Sequence, residues 1–184
     1  MRAMIVWLAV GLPLAAPAVA QSPRPLLGVG VEAAHLRDNT TWTPGVTAQL
    51  GLEFPLGSER LALRFEGGFY ARDRSDFTGA SQSSATHAAL ALRVNLATGA
   101  FRPYLLAVAS YQRVSAFRAG LDRLGNAMRT SLNSYAGAAL LGLGLDRQVG
   151  ALRVFVEARA FAYDPPTSQT FASFMLPVTV GVSF

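Results

Sequence analysis

The chain has 184 residues, of which 51% are hydrophobic and 15% are charged, and it contains no cysteine. The absence of cysteine excludes a disulfide framework, a thiolate metal site and a lipid-modified amino-terminal cysteine. The formal net charge is +5. All the basic residues are arginines scattered singly along the chain, which argues against a nucleic-acid-binding face.

Residues 1–20 have the organisation of a secretory signal peptide. A positive residue, Arg2, precedes an apolar run that extends to Ala16, and Ala18-Val19-Ala20 fits the small-x-small cleavage pattern. A membrane-spanning helix needs about 20 apolar residues, which is longer than this run. We therefore expect residues 1–20 to be removed and residues 21–184 to form one domain.

The rest of the chain alternates between apolar residues and small or polar ones along eight segments. Side chains of a strand point alternately to opposite faces, so each segment is predicted to be a β-strand with one apolar face. Segments of roughly 10 residues with this period are typical of transmembrane β-barrels. The predicted strands are residues 26–36, 45–54, 60–72, 85–96, 103–115, 134–147, 151–163 and 174–184.

The fifth predicted strand is apolar on both faces, so alternation alone leaves its orientation ambiguous. We place Tyr104, Leu106 and Val108 on the outward face. The inward face then carries Ala107, Ala109, Tyr111 and Arg113.

The connections between the predicted strands alternate in length. Three are tight and contain glycine, at residues 56–59, 97–100 and 148–150. Four are longer and more polar, at residues 37–44, 73–84, 116–133 and 164–170. Outer-membrane barrels have short turns on the periplasmic side and longer loops outside.

The third long connection has a pattern of its own. Phe117, Leu121, Leu124 and Met128 recur at helical spacing, which predicts a short helix, although Gly120 and Gly125 weaken it. The alternative is an ordinary surface loop.

A soluble β-sandwich, or a soluble barrel of lipocalin type, is the competing fold. Either would expose its polar face to water and would be expected to carry more charge than 15%, together with a lower mean hydropathy than +0.30. In a membrane barrel the apolar face meets lipid, and closure of the sheet satisfies every backbone hydrogen bond. We therefore predict an all-β, eight-stranded, antiparallel, up-and-down transmembrane barrel.

The last strand ends the chain on an aromatic residue, Phe184. With this ending, the signal peptide, the strand number and the loop asymmetry, residues 21–184 resemble the small eight-stranded outer-membrane β-barrel proteins, the OmpX/OmpW-like group. The resemblance implies a monomer in the bacterial outer membrane, in contact with membrane lipid and lipopolysaccharide. It also implies that Phe184 belongs to the signal read by the barrel-assembly machinery.

The inward faces carry acidic and basic residues in nearly equal number, and the interior of an eight-stranded barrel is just wide enough for side chains to fill it. We predict that these charges pair and form a structural network that plugs the lumen; the alternative is a polar path for ions or a small solute. The members are Glu32, Glu53, Glu66, Asp146, Glu157, Arg64, Arg93, Arg113, Arg153 and Arg159.

Catalysis is less well supported by the sequence. Lipid A deacylases of similar size use a His-x-Ser arrangement, and neither His35 nor His87 has a serine two residues later. With two histidines and no cysteine, no metal or other cofactor is expected. The sequence favours a non-enzymatic structural anchor or surface-interaction protein. The alternative is a narrow channel for small or apolar solutes, and a lipid A-modifying enzyme is less favoured.

Overall fold

The computed structural model describes residues 22–36, 42–76, 79–121, 127–162 and 172–184. The expected signal peptide, residues 1–20, lies outside these ranges, as do parts of the four predicted long loops. Among the described residues, no helix is long and apolar enough to cross a membrane.

Eight antiparallel strands form one closed barrel, in which each strand pairs with its neighbours in the chain and β1 pairs with β8. The predicted fold class is confirmed. The strands are β1 (Arg24–Leu36), β2 (Trp42–Pro55), β3 (Leu61–Asp76), β4 (Gly79–Asn95), β5 (Phe101–Leu121), β6 (Ala127–Val149), β7 (Leu152–Ala162) and β8 (Ala172–Ser183).

The barrel has its apolar side chains outside and its polar side chains inside. On β1, Val29 and Val31 are each 63% exposed, whereas Glu32 on the opposite face is 3% exposed. The same inversion occurs on β2, where Leu50 is exposed and Gln49 is buried. This arrangement suits a sheet surrounded by hydrocarbon and is the reverse of a soluble core.

Three tight turns lie at one end of the barrel, as predicted. Gly57, Gly99 and Gly150 adopt φ values of 64°, 118° and 63°, in the left-handed region that residues with a Cβ rarely adopt. The start of β1 and the end of β8 also meet here, because the backbone N–H of Phe184 donates to the carbonyl oxygen of Pro25 at 3.2 Å.

At the opposite end, strands occupy much of what the sequence predicted to be loop. β5 continues to Leu121 and β6 begins at Ala127, and Phe117 lies opposite Ser131 in their ladder. The predicted helix is therefore wrong for residues 117–121 and 127–128, while Leu124 lies outside the described residues. Pairing of β5 with β6 satisfies the backbone hydrogen-bonding groups of both strands. This gain outweighs the helical tendency of the sequence, which is weak because glycine interrupts it.

The faces of β5 are the reverse of the prediction. Tyr104, Leu106 and Val108 are buried in the lumen, whereas Tyr111 and Arg113 are exposed on the outer surface. The register of the strands explains this orientation, because residues that lie opposite one another on neighbouring strands point to the same face of the sheet. Ala107 lies opposite Leu92 of β4 and Leu141 of β6, which both face outward. Inside, Leu106 lies opposite Gly142, where the missing side chain leaves room for it.

The orientation of β5 can be tested by single cysteine substitutions, since the chain has no cysteine of its own. We expect Leu105→Cys and Ala107→Cys to react with a lipid-soluble maleimide in vesicles, because both positions are exposed on the outer face. Leu106→Cys and Val108→Cys are expected to remain unlabelled until the barrel is unfolded. Labelling of Leu106→Cys and Val108→Cys, but not of Leu105→Cys and Ala107→Cys, would show that the faces of β5 are the reverse of those described.

Candidate functional site: the filled lumen

The interior of the barrel contains a connected group of charged side chains, which we call the central cluster. It is contributed by six strands, β2 to β7, whose inward positions meet across the lumen. Its members are Arg64, Arg93, Arg102, Arg159, Glu53, Glu66, Asp146 and Glu157.

Arg64 of β3 lies at the centre of this cluster and is 1% exposed. Its Nε donates to Glu53 Oε2 at 2.6 Å, and its Nη1 donates to Glu157 Oε2 at 2.8 Å. Nη1 also lies 3.6 Å from Glu66 Oε1. One guanidinium therefore joins carboxylates from three strands, β2, β3 and β7.

Two further arginines extend the cluster toward the end of the barrel that carries the tight turns. Arg93 Nη1 donates to Glu53 Oε2 at 3.1 Å, and its Nη2 donates to Asp146. Asp146 also accepts two hydrogen bonds from Arg102, at 2.8 and 3.2 Å. The guanidinium of Arg93 lies 3.9 Å from the centre of the Tyr104 ring. This cation–π contact covers the flat face of the guanidinium, whose N–H groups bond to the carboxylates.

Arg159 of β7 extends the cluster in the other direction. Its Nη1 and Nη2 donate to the two oxygens of Glu66 at 2.6 and 2.9 Å, a bidentate pair. Its Nε donates to Glu157 Oε1 at 2.5 Å, while the Tyr104 hydroxyl donates to Glu157 Oε2 at 2.9 Å. Each oxygen of these two carboxylates is therefore hydrogen-bonded to a buried donor.

Charge is balanced inside the barrel, since the central cluster joins four arginines to four carboxylates. A fifth pair, Arg72 with Glu32, lies nearer the opposite end of the lumen. Transfer of one charge from water into a protein interior costs several kcal/mol, and only close pairing offsets that cost. The members of the network therefore depend on one another for stability, because removal of any one of them leaves an opposite charge buried without its partner.

Above the central cluster, away from the tight turns, the lumen wall becomes polar but uncharged. Gln49 of β2, His87 of β4 and Gln112 of β5 lie at the same level of the barrel. Gly68 of β3 lies opposite both Gln49 and His87, and His87 lies opposite Gln112. Among protein atoms of the described residues, Gln49 Nε2, both His87 ring nitrogens and Gln112 Oε1 have no hydrogen-bond partner. His87 stacks on Tyr70 with ring centres 4.9 Å apart. These atoms form a layer that water molecules could satisfy.

The structure places eight of the ten predicted network residues in the central cluster or in the Arg72–Glu32 pair. Arg113 is a correction, because it is exposed on the outer face of β5. Arg153 is the second exception: it is only partly buried, and its Nε donates to Gln148 Oε1 at 2.9 Å rather than to a carboxylate.

Two lumen arginines were missed in the sequence. Arg102 shares the face of Tyr104, and it was missed because the predicted strand began one residue after it. Arg72 shares the face of Arg64 and Glu66 and could have been found by continuing the alternation of β3. The two replace Arg113 and Arg153, so the balance of five against five remains.

Each carboxylate of the central cluster is paired with at least one arginine. Within the part of the chain that the structure describes, no group of three or more His, Cys, Asp or Glu side chains is placed to hold a metal ion.

Comparison with known proteins identifies the fold. No protein-family model matches the chain, and no match is found among curated protein sequences. Neisserial surface protein A has a TM-score of 0.66 and 14% identity, covering 89% of this chain and 97% of that one. A major outer membrane protein of Thermus thermophilus has a TM-score of 0.56 and 13% identity, covering 87% and 98%. The β-domain of the Bordetella autotransporter BrkA has a TM-score of 0.50 and 11% identity, covering 88% and 70%.

At these identities the likeness concerns the fold. The resemblance to the small eight-stranded outer-membrane β-barrels is confirmed at that level, by the structural neighbours and by the closed barrel of eight strands.

The central cluster makes a direct prediction about stability. Arg64→Leu leaves Glu53 and Glu157 without a main partner and is expected to lower the free energy of unfolding by about 3–5 kcal/mol. Arg153→Leu is the matched control; because Arg153 is partly exposed and bonded to an amide, we expect a loss below about 1 kcal/mol. Urea unfolding of both variants in lipid vesicles measures the difference. Equal losses would mean that the cluster does not act as a connected unit.

Proposed function

We propose that this outer-membrane-type barrel is a non-enzymatic anchor that carries a binding sheet outside the membrane. The single observation that carries the proposal is the length of the β5–β6 hairpin. β5 and β6 have 21 and 23 residues and pair with one another from Phe101 to Leu121. A strand of 11 residues is already long enough to cross the apolar band of a membrane.

The longer strands continue beyond that band as a sheet. β6 exceeds 11 residues by 12, which corresponds to about 30 Å along the barrel axis at a rise of about 3.3 Å per residue and a tilt of about 40°. Residues 127–138 of β6 pair with β5 on one side, and the described pairing with β7 begins at Ala139. In this proposal the other side of residues 127–138 is free for a partner strand.

An open strand edge binds extended chains, because its free N–H and C=O groups can add a further strand to the sheet. Edges that avoid such pairing usually carry charged residues or proline. Residues 127–138 contain one charged residue, Arg129, and no proline. This composition favours a surface that accepts a partner strand.

The filled lumen favours an anchor over a channel for small or apolar solutes. Arg64, Arg93, Tyr104 and Phe155 are among the largest fully buried side chains, and all four lie within the barrel. An enzyme that modifies lipid A would need a catalytic group at the outer rim. His87 instead lies inside the lumen, stacked on Tyr70.

The proposal includes a route to the membrane. Residues 1–20 would direct export and be removed before Gln21, and outer-membrane lipid and lipopolysaccharide would surround a monomeric barrel. Phe184, exposed at the end of β8, would serve as the signal for the barrel-assembly machinery.

The binding sheet can be removed without disturbing the membrane barrel. Ala109 and Ala139 lie opposite one another, so residues 110–138 can be replaced by an Asn-Gly turn that keeps the strand register. We expect this variant to fold, as shown by a heat-dependent shift on denaturing gels. We expect it to lose the extended peptides that the full-length protein, in nanodiscs, selects from a phage-displayed random library.

The control shortens the opposite end of the barrel. Replacing the turn at residues 97–100 with Asn-Gly leaves the binding sheet intact and should leave peptide selection unchanged. Selection that persists after removal of residues 110–138, or a full-length protein that selects no peptide, would contradict the proposal.

A further inference from the structure

The outer surface of β4–β6 contains an apolar groove of about 640 Å³. Its lining includes four alanines, Ala107, Ala109, Ala139 and Ala160, whose short side chains form the floor. Leu90 and Leu141 rise on either side and are 44% and 72% exposed. Ala109 lies directly opposite both Leu90 and Ala139, so the groove crosses β4, β5 and β6, and it continues to Ala160 of β7 and Phe174 of β8.

A pair of stacked tyrosines lies at the extracellular side of this groove. Tyr111 follows Ala109 by two positions on the same face of β5, and Tyr135 lies beyond Gly137 on β6. Their ring centres are 6.0 Å apart and the rings are nearly parallel, at 17°. Both side chains are more than half exposed. Tyrosines of this kind mark the level at which hydrocarbon gives way to lipid head groups.

A positive, hydrogen-bonding row lies immediately beyond the tyrosines. Arg113 is exposed and lies between Thr86 of β4 and Tyr135 of β6. Next to it, Ser115 Oγ donates to Asn133 Oδ1 at 2.7 Å. Arg113 lies four residues from Ala109, or about 13 Å along the strand, which matches the separation between a lipid phosphate and the upper part of its acyl chain.

The charge of this region is one-sided. Between residues 77 and 145 the sequence has six arginines and one acidic residue, Asp122. Arg93 and Arg102 are paired in the lumen, so their charge is compensated there. Arg113 is the arginine of this region whose side chain the structure describes as exposed, and its positive charge suits an anionic head group.

We propose that this face binds one phosphorylated acyl lipid, with an acyl chain in the alanine groove and a phosphate on Arg113. The inference rests on the proposed outer-membrane location and adds a defined site to it. The occupant is a phosphorylated glycolipid, because the Ser115–Asn133 pair next to Arg113 offers hydroxyl and amide groups that can bind sugar hydroxyls beside the phosphate. An apolar second protein would use the groove but would have no use for Arg113.

The test measures lipid binding to the refolded, heat-modifiable protein by native mass spectrometry. The probes are bis-phosphorylated lipid A, phosphatidylglycerol and diacylglycerol, which has acyl chains but no phosphate. Insertion into vesicles is scored separately, so that absent lipid binding by an inserted barrel tells against the site and not against the membrane location.

Two variants address the two halves of the site. Arg113→Gln should weaken binding of both phosphorylated lipids about tenfold, because it removes a charge-assisted hydrogen bond. Ala139→Leu should fill the groove and weaken binding of all acyl probes. The matched controls are Arg147→Gln, an exposed arginine stacked on Phe101 at the other end of the barrel, and Ala48→Leu, an exposed alanine of β2. Both controls should change affinity by less than about twofold.

The outcomes separate the sources of the lipid. Tighter binding of lipid A than of phosphatidylglycerol, lost in both site variants, supports the site with a glycolipid occupant. Equal or tighter binding of phosphatidylglycerol would contradict a glycolipid occupant. Wild-type affinity in Arg113→Gln or Ala139→Leu, or diacylglycerol binding as tight as that of the phosphorylated probes, overturns the proposal. So does a dimer in light scattering that Ala139→Leu dissociates, because the groove would then be a subunit interface.

Discussion

Pairing of charge inside a narrow barrel is the constraint on which the rest of this structure depends. Eight strands enclose a space that side chains alone can fill, so a guanidinium placed there has no bulk water to solvate it. The chain meets this constraint with four arginines and four carboxylates linked across six strands. Small residues make the arrangement possible: a side chain at Gly144 would run into Tyr104, and one at Gly181 would run into Phe155.

The same network accounts for the precision of strand pairing. A shift of one residue in any ladder would turn a set of inward charges toward lipid and bring apolar residues inside. Glu53 lies opposite Arg64, and Arg102 lies opposite Asp146, so cross-strand neighbours are also ion-pair partners. Once the interior holds the register, the outer surface and the long hairpins are free to vary. The proposed binding sheet and the proposed lipid groove both lie in these variable parts.

How far the sequence predicts this structure depends on how different the two faces of a strand are. β1, β2 and β7 alternate between apolar residues and charged or small ones, so their faces could be assigned correctly. β5 could not, because Leu105 and Leu106 are equally apolar and differ only in which neighbours they meet across the ladder. The error extended to Arg113, which was assigned with the phase of that strand, and Arg102 was missed because the predicted strand began one residue after it.

The central claim is that side chains close the lumen. Planar-bilayer recording of the refolded protein tests it most directly, with insertion verified in the same sample by the heat-dependent gel shift. The account predicts no steady conductance above that of the bare bilayer, because the central cluster and the aromatic rings around it fill the barrel. A reproducible conductance that changes when Arg64 is replaced by alanine would contradict it and would establish a polar path through the lumen.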